Sequence, residues 1–315
     1  MTPDNEKTNI TRNLIILGSG PAGLSAALYA ARADLAPLVL TGMTLHGQAS
    51  TTDTIENYPG FPEGVGGEEL GQLFQTQAER FGAEIEMDQA VSVDLSKNPY
   101  TIETYGKKYQ AESLIITTGA DPKKLNVPGE KEFTGRGVSY CGTCDGWFFK
   151  DKDIVVIGGG DSALEEGLFL TRFAKSVTVI HRRDELRAGA ILEKRARENP
   201  KIKFVWDTVV TEIQGDDAVK GVLLKNVKTA KEVIHPTDGV FIFIGHRPNS
   251  DLFVDQLEMD RAGYLVTNKY METSKPGIFA AGEITDPNFR QVITSAGMGA
   301  AAAIRATRYL ENIEE

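Results

Sequence analysis

Two stretches of the chain share one pattern: a short apolar run, a glycine-rich turn, and a segment with helical apolar spacing. The first has its apolar run at residues 13–17 and its turn at 18–23. The second has its apolar run at residues 154–157 and its turn at 158–163. An apolar run bounded by glycine predicts a buried strand. A strand–turn–helix unit therefore occurs twice, which indicates an internal duplication.

The remaining pattern predicts how the two units are connected. The polar first ten residues predict a loose tail. Apolar spacing predicts helices at 22–32, 68–81, 190–198 and 295–310, and further strands at 177–180, 240–244 and 278–281. The last of these strands needs neighbours in a sheet, and the second unit is already complete before it. We therefore expect the chain to return to its first domain, with the second domain inserted within it.

The predicted fold class is α/β, with two Rossmann-like dinucleotide-binding domains of three layers each. Proline-bearing connectors near residues 121–129 and 246–249 predict the crossings between them. The first domain would comprise residues 1–122 and 249–315, and the inserted domain residues 123–248.

Composition and charge argue against two classes of partner, nucleic acids and membranes. The 315 residues include 44 acidic and 34 basic side chains, for a net charge of −10. This charge argues against a nucleic-acid partner. There is no apolar run of about 20 residues and no signal-peptide pattern at the start, so we expect a cytoplasmic protein without membrane contact.

The glycine turns are candidate phosphate-binding sites. In a Gly-x-Gly-x-x-Gly turn the second glycine lets the backbone approach a pyrophosphate, and the following helix N-terminus offers free N–H groups. A bare tight turn is the alternative. The candidate residues are Gly18, Gly20, Pro21, Ala22 and Gly23 in the first unit, and Gly158, Gly160, Asp161, Ser162 and Ala163 in the second.

The two units differ after the strand that follows each turn. The second unit has His181, Arg182 and Arg183 there, with Arg187 one helical turn later. Guanidinium groups at this point would bind a 2′-phosphate, which predicts NADPH rather than NADH. A solvated basic face is the alternative. The first unit has Thr41 there, which does not identify its nucleotide.

The chain has two cysteines, Cys141 and Cys144, in the Cys-x-x-Cys spacing of redox pairs. Half of a zinc site is the alternative, but a structural site needs four ligands and no second pair stands nearby in sequence. We therefore expect no metal. Asp145 follows directly and would give and take the proton that dithiol–disulfide exchange moves. A helix-capping or turn role is the competing interpretation of Asp145.

The ordered motifs resemble the low-molecular-weight thioredoxin reductases of bacteria and archaea, from about residue 13 to residue 310. The motifs that carry the resemblance are GSGPAG at 18–23, ENYPG at 56–60, CGTCDG at 141–146, GGGDSA at 158–163, HRR at 181–183, GHRPN at 245–249 and RQVITSAG at 290–297. Many motifs in one order make the resemblance specific.

The resemblance implies a homodimeric flavoprotein that reduces thioredoxin. The first unit would hold FAD, and the inserted unit would hold NADPH and the cysteine pair. Cys144 would face the flavin, Cys141 would attack the disulfide of thioredoxin, and Asp145 would be the acid. Trp147 and Phe148, with Arg136 nearby, would form the apolar surface that receives the protein substrate, although packing within the inserted domain is an equal alternative.

Further cofactor contacts follow from the same resemblance. They are Gly47, Gln48, Asn57, Thr118, Gly119, Gly245, Gly282, Glu283, Arg290, Gln291 and Val292. Two positions depart from the family. Glu283 stands where the family usually has Asp, and His46 precedes Gly47 where a second glycine is common.

The predicted function is thus a thioredoxin-disulfide reductase that uses NADPH, FAD and the Cys141–Cys144 pair. One alternative is an NADPH-dependent flavoprotein reductase of another thiol carrier, glutaredoxin-like or peroxiredoxin-linked. A dinucleotide-sensing protein whose cysteines hold metal is the alternative from another class.

Overall fold

The computed structural model describes residues 8–52 and 54–314. Its helices are α1 (Pro21–Arg32), α2 (Gly67–Arg80), α3 (Gly142–Asp145), α4 (Asp161–Leu170), α5 (Ala190–Glu198) and α6 (Val292–Glu314). Short 3₁₀ helices occur at Gln48–Thr51, Gly146–Phe149 and Asp251–Phe253.

The strands of the described residues are numbered in chain order. They are β1 (Thr8–Leu17), β2 (Leu38–Leu40), β3 (Glu84–Glu86), β4 (Ser92–Asp94), β5 (Tyr100–Glu103), β6 (Lys107–Ile116), β7 (Ala120–Pro122), β8 (Val138–Ser139), β9 (Asp153–Ile157), β10 (Ser176–Ile180), β11 (Ile202–Val205), β12 (Thr208–Gly215), β13 (Val219–Asn226), β14 (Glu232–Pro236), β15 (Gly239–Ile242), β16 (His246–Pro248) and β17 (Ile278–Ala280).

The chain divides into two compact units. One comprises the chain up to Asp121 together with the chain from Arg247 onwards, and the other is Pro122–His246. We refer to them as the discontinuous unit and the inserted unit. The assignment of FAD to residues 1–122 and 249–315, and of NADPH to residues 123–248, stays a prediction.

The discontinuous unit is built on a sheet with the order β3-β2-β1-β6-β5-β4. β6 has two neighbours on one side: β5 pairs antiparallel with its first half, and β17 pairs parallel with Leu114–Ile116 at its end. The pairing of β17 confirms that the chain returns to the first domain after the insertion.

Side chains of β1 alternate between two cores, because successive residues of a strand point to opposite faces. Leu14 and Ile16 pack with α1 and α6 on one face, while Ile15 and Leu17 pack into a second core on the other. Alanines of α1 and α6 are buried against each other, which lets the two helix backbones approach closely. The three-layer prediction is confirmed here.

The inserted unit repeats this arrangement with the parallel sheet β11-β10-β9-β15-β8. Ile154 and Val156 of β9 face a core that includes residues of α4 and α5, and Val155 and Ile157 face the antiparallel sheet β12-β13-β14. Both units therefore place a glycine turn at the carboxyl end of a central parallel strand.

The predicted loose tail is wrong for residues 8–10. β1 begins at Thr8, and its first residues pair in register with the start of β6, Lys107–Tyr109. Residues 1–7, which the tail prediction also covered, lie outside the described residues. The final helix is longer than predicted, since α6 begins at Val292 and runs to Glu314.

Candidate functional site

The first glycine turn joins β1 to α1. Gly18 has φ +108°, and a β carbon there would overlap the carbonyl oxygen of Thr117, so that position requires glycine. The space around Gly20 is open by contrast, since a β carbon built on Gly20 would meet only the Cα of Gly47, at 3.9 Å. Within the described part of the chain no side chain caps α1, and its first turn has no acidic residue. The open space beside uncapped N–H groups fits a pyrophosphate.

The second glycine turn joins β9 to α4 and has the same construction. Gly158 has φ +152°, and a β carbon there would overlap the carbonyl oxygen of Phe243. A β carbon on Gly160 would meet no described atom within 4 Å, and in the described residues no side chain caps α4. This turn also fits a phosphate group.

A cavity of about 390 Å³ lies in the inserted unit, and one of its lining residues, Arg187, contacts this second turn. We call it the arginine pocket. It is lined by Arg182, Arg183, Asp184, Glu185, Leu186, Arg187, Asp207, Val227 and Lys228. The backbone N–H of Arg187 donates to the carbonyl oxygen of Gly159 at 2.7 Å. Three arginines that line one pocket fit the 2′-phosphate of NADPH.

Two further contacts shape the arginine pocket. The Lys228 ammonium lies 2.7 Å from Asp184 Oδ2 and 3.0 Å from Asp207 Oδ2, so it neutralises carboxylates that would otherwise repel a phosphate. Asp161 Oδ1 accepts from the backbone N–H of Gly189 at 2.8 Å, which ties the segment after Arg187 to the start of α4. Lys228 was not among the predicted site residues.

His181 lies beneath the turn and does not line the arginine pocket. Its side chain is buried, and a β carbon on Gly159 would overlap its ring. Burial lowers the pKa of His181, and the positive charges of Arg187, Arg183 and Arg182 lower it further. A neutral imidazole here supports the turn, and its predicted contact with the cofactor stays a prediction.

Cys141 and Cys144 form a disulfide, with their Cα atoms 5.3 Å apart. Cys141 is the N-cap residue of α3, and the backbone N–H of Cys144 donates to Cys141 Sγ at 3.2 Å. A backbone donor aimed at this sulfur would stabilise negative charge on it after reduction. The geometry therefore favours Cys141 as the nucleophilic thiolate.

Asp145 is held beside the cysteine pair by Ser139. The hydroxyl of Ser139 donates to Asp145 Oδ2 at 2.5 Å and accepts from the backbone N–H of Cys141 at 3.1 Å. The backbone N–H of Asp145 donates to the Cys141 carbonyl oxygen at 3.2 Å. Ser139 was not among the predicted site residues, although a hydroxyl residue two positions before Cys141 is a signal that the sequence carries.

Several predicted flavin contacts come together in the discontinuous unit. Gln48 donates to the carbonyl oxygen of Ala120 and, at 2.8 Å, to Asp121 Oδ1. Asn57 Nδ2 donates to Gln291 Oε1 at 3.0 Å, which connects its loop to the residue before α6.

The segment from Thr118 to Gly119 and the residues around Glu283 belong to the same unit. Thr118 Oγ1 donates to the carbonyl oxygen of Asn249 at 2.8 Å. Burial raises the pKa of Glu283 to about 7, against the positive charge of Arg290, which lowers it. The contacts of these residues with a flavin stay predictions. The cofactor contacts of the remaining candidates Gly47, Gly245, Gly282 and Val292 also stay predictions, and Gly245 belongs to the inserted unit.

The sequence matches a known protein family over most of its length. The family model described as pyridine nucleotide-disulphide oxidoreductase matches residues 12–299. The chain belongs to that family. Membership confirms the predicted disulfide oxidoreductase and its predicted cofactors FAD and NADPH.

Two similar proteins show which members of this family the chain resembles. The chain is 50% identical over 307 residues to a thioredoxin reductase from Streptomyces coelicolor, an alignment that covers 96% of this chain and 95% of that one. A crystal structure of thioredoxin reductase from Streptococcus pyogenes matches with a TM-score of 0.92 at 44% identity, covering 97% of this chain and all of that one. The predicted resemblance to thioredoxin reductases and the two-domain fold are therefore confirmed.

Neither a membrane span nor a metal cluster occurs among the described residues. Across residues 8–52 and 54–314, each helix is too short or too polar to cross a bilayer. In the same ranges, His, Cys, Asp and Glu side chains do not gather in threes where a metal ion could be held.

Proposed function

We propose that this chain is a thioredoxin-disulfide reductase, which uses NADPH and FAD to reduce oxidised thioredoxin at the Cys141–Cys144 pair. The observation that carries the proposal is the disulfide itself. It lies in the unit that also holds the arginine pocket, and a backbone N–H points at Cys141 Sγ. Relatives at about half identity, such as the protein from Streptomyces coelicolor, bear the name thioredoxin reductase.

The cofactors divide between the two units in this proposal. When bound, NADPH and FAD supply the hydride and the electron pair that reduce a disulfide. The open first turn at Gly20 would receive the FAD pyrophosphate, and the turn at Gly160 would receive that of NADPH. The arginine pocket would hold the 2′-phosphate, which accounts for a preference for NADPH over NADH.

The reduced cysteine pair performs the chemistry on thioredoxin. The Cys141 thiolate attacks one sulfur of the thioredoxin disulfide, which forms a mixed disulfide and displaces the second sulfur as a thiolate. Cys144 then attacks Cys141 Sγ, restores the Cys141–Cys144 disulfide and releases the first sulfur of thioredoxin. The pair loses two electrons, and thioredoxin gains two electrons and two protons.

Asp145 exchanges the protons of these steps, because the Ser139 hydroxyl that orients its carboxyl also accepts from the backbone N–H of Cys141. A protonated carboxyl can donate to a departing thiolate, and the resulting carboxylate can take the proton of the next attacking thiol. Ser139 acts through Asp145 and is a positioning residue.

Two aromatic side chains near the pair would receive thioredoxin. Trp147 is 54% exposed and Phe148 is 45% exposed, whereas most large apolar side chains of the unit are buried. Trp147 is braced by an edge contact with Phe173, with ring centroids 5.9 Å apart. An exposed, rigid aromatic pair is typical of an anchor for a protein partner.

We further propose that the protein is a homodimer and that it is located in the cytoplasm.

An anaerobic titration tests the proposal. NADPH should bleach the visible flavin band at a much lower concentration than NADH, and oxidised thioredoxin should restore it in the wild type but not in Cys141→Ser. Trp147→Ala should raise the KM for thioredoxin without changing the NADPH titration. Val233→Ala, which truncates an equally exposed side chain of the same unit, is the matched control.

The outcomes separate the proposal from its rivals. Restoration by a glutaredoxin-like or peroxiredoxin-linked carrier, but not by thioredoxin, would make the chain a reductase of that carrier. If neither NADPH nor NADH bleaches the flavin, the role given to the arginine pocket is wrong.

A further inference from the structure

The imidazole of His46 is buried against α2 in the discontinuous unit. The side chain of His46 is 1% exposed, and its two ring nitrogens face oxygen atoms of α2: Nδ1 lies 3.1 Å from Glu68 Oε1, and Nε2 lies 2.8 Å from Gln75 Oε1. Gln75 Nε2 donates to Glu79 Oε1 at 2.7 Å, which orients the amide so that its carbonyl oxygen faces the ring. α2 thus holds the ring from two sides.

The surface of α2 has a notch at Gly71 that receives the ring of His46. A β carbon on Gly71 would overlap Cβ and Cγ of His46, and a β carbon on Gly67 would overlap the carbonyl oxygen of Ala49. Residues four apart lie on the same face of a helix, so these two glycines form one close-contact face. The imidazole of His46 occupies the space that a side chain at residue 71 would fill.

The backbone of the same residue is attached to the first glycine turn. The N–H of His46 donates to Ser19 Oγ at 3.2 Å. The next residue, Gly47, has φ +68°, and a β carbon there would lie 2.9 Å from the Cα of Gly20. His46 is therefore bound to α2 through its ring and to the turn through its backbone.

We propose that His46 is a positioning residue for FAD: its ring, seated in the notch at Gly71, holds the loop at Gly47 against the first glycine turn and so sets how tightly FAD is retained. The inference rests on the proposed FAD site of the discontinuous unit. His46 itself has φ +61°, a conformation that glycine adopts without strain, so His46→Gly removes the ring while preserving the backbone path.

A double-mutant cycle on the FAD-loaded protein tests the inference. The FAD dissociation constant is measured from flavin fluorescence on dilution. His46→Gly should raise this constant about tenfold, because the hydrogen bonds that anchor the loop are lost. Gly71→Ala should raise it by a similar factor, because the added methyl group displaces the ring.

The double variant decides between coupling and separate effects. With no ring left to displace, the pair His46→Gly and Gly71→Ala should bind FAD about as weakly as His46→Gly alone, roughly tenfold weaker than the wild type rather than about a hundredfold. Gln72→Ala, on the exposed side of α2, is the matched control and should leave FAD retention unchanged. Gln75→Leu, which removes one acceptor without altering the backbone, should raise the constant about threefold and serves where Gly71→Ala does not fold.

Three outcomes would overturn the inference. The first is that both single variants retain FAD as tightly as the wild type. The second is that the effects of the two substitutions on the FAD dissociation constant add in the double variant. The third is that FAD is lost only in proportion to a lower melting temperature of the FAD-stripped protein. A wild type that holds no FAD would overturn the proposed function and this inference with it. A wild type that holds FAD while its variants retain it equally well would overturn the inference alone.

Discussion

The carboxyl group of Glu283 should make the stability of the discontinuous unit depend on pH. Burial raises the pKa of Glu283 to about 7. The positive charge of Arg290 lowers it, and the negative charges of Asp286 and Asp121 add to the increase. Glu283→Gln keeps the shape of the side chain but removes its titration.

The sign and size of the effect follow from proton linkage. An ordinary glutamate, as in the unfolded chain, has a pKa of 4.5, so between 4.5 and about 7 the folded protein binds the proton and the unfolded chain does not. The stability that the Glu283 proton contributes is therefore fully present below about pH 4.5. It falls as the pH rises from 4.5 through 7 and is absent at higher pH. Each pH unit is worth about 1.4 kcal/mol, so the loss amounts to about 3 kcal/mol.

Urea unfolding of the FAD-stripped protein measures this difference. Between about pH 4 and pH 8 the wild type should lose about 3 kcal/mol more unfolding free energy than Glu283→Gln. Both proteins contain every other titrating group, so the difference between their curves isolates Glu283. Parallel curves for the two proteins, or a wild type that gains stability relative to the variant as the pH rises, would refute the reasoning.

Three further predictions concern the inserted unit. Ser139→Ala should lower kcat about tenfold and alter the pH–rate profile, because Asp145 loses the hydroxyl that orients it, and an unchanged profile would contradict that role. Lys228→Met should raise the KM for NADPH about fivefold with little effect on NADH, which paired steady-state assays with the two nucleotides would check. Gly158→Ala should lower the unfolding free energy by ~1–3 kcal/mol, whereas Gly160→Ala should leave the melting temperature unchanged and weaken NADPH binding, as thermal melts and nucleotide titrations would reveal.

Sequence reasoning found the elements whose contacts are local or periodic. The buried strand before each glycine turn and the helix after it were predictable because β1 and β9 alternate between two cores and the turns require glycine. The start of β1 was missed because residues 8 and 9 are polar and Ile10 is a single apolar position, which makes neither an apolar run nor an alternation. They form a strand through backbone pairing with β6.

The missed site residues depend on contacts between distant parts of the chain. Lys228 reaches Asp184 and Asp207 only because the hairpin of β13 and β14 brings it to the arginine pocket. His46 was noted as a departure from the family, yet its fit into α2 depends on Gly71, which nothing in the sequence links to it. Such pairings need the folded chain, because spacing along the sequence does not encode them.

The late position of β17 and α6 affects how the protein is made. A ribosome completes Pro122–His246 as one continuous stretch, so the inserted unit has all its strands before the last quarter of the chain emerges. β6 of the other unit gains β17 as a neighbour, and α1 gains the alanine face of α6, only after residues 278–314 are synthesised. Until then the alanines of α1 that pack against α6 lack that neighbour, and apolar surface exposed on a nascent chain makes it prone to aggregate. The order of synthesis thus delays the complete packing of α1 until α6, the last of the described elements, has been made.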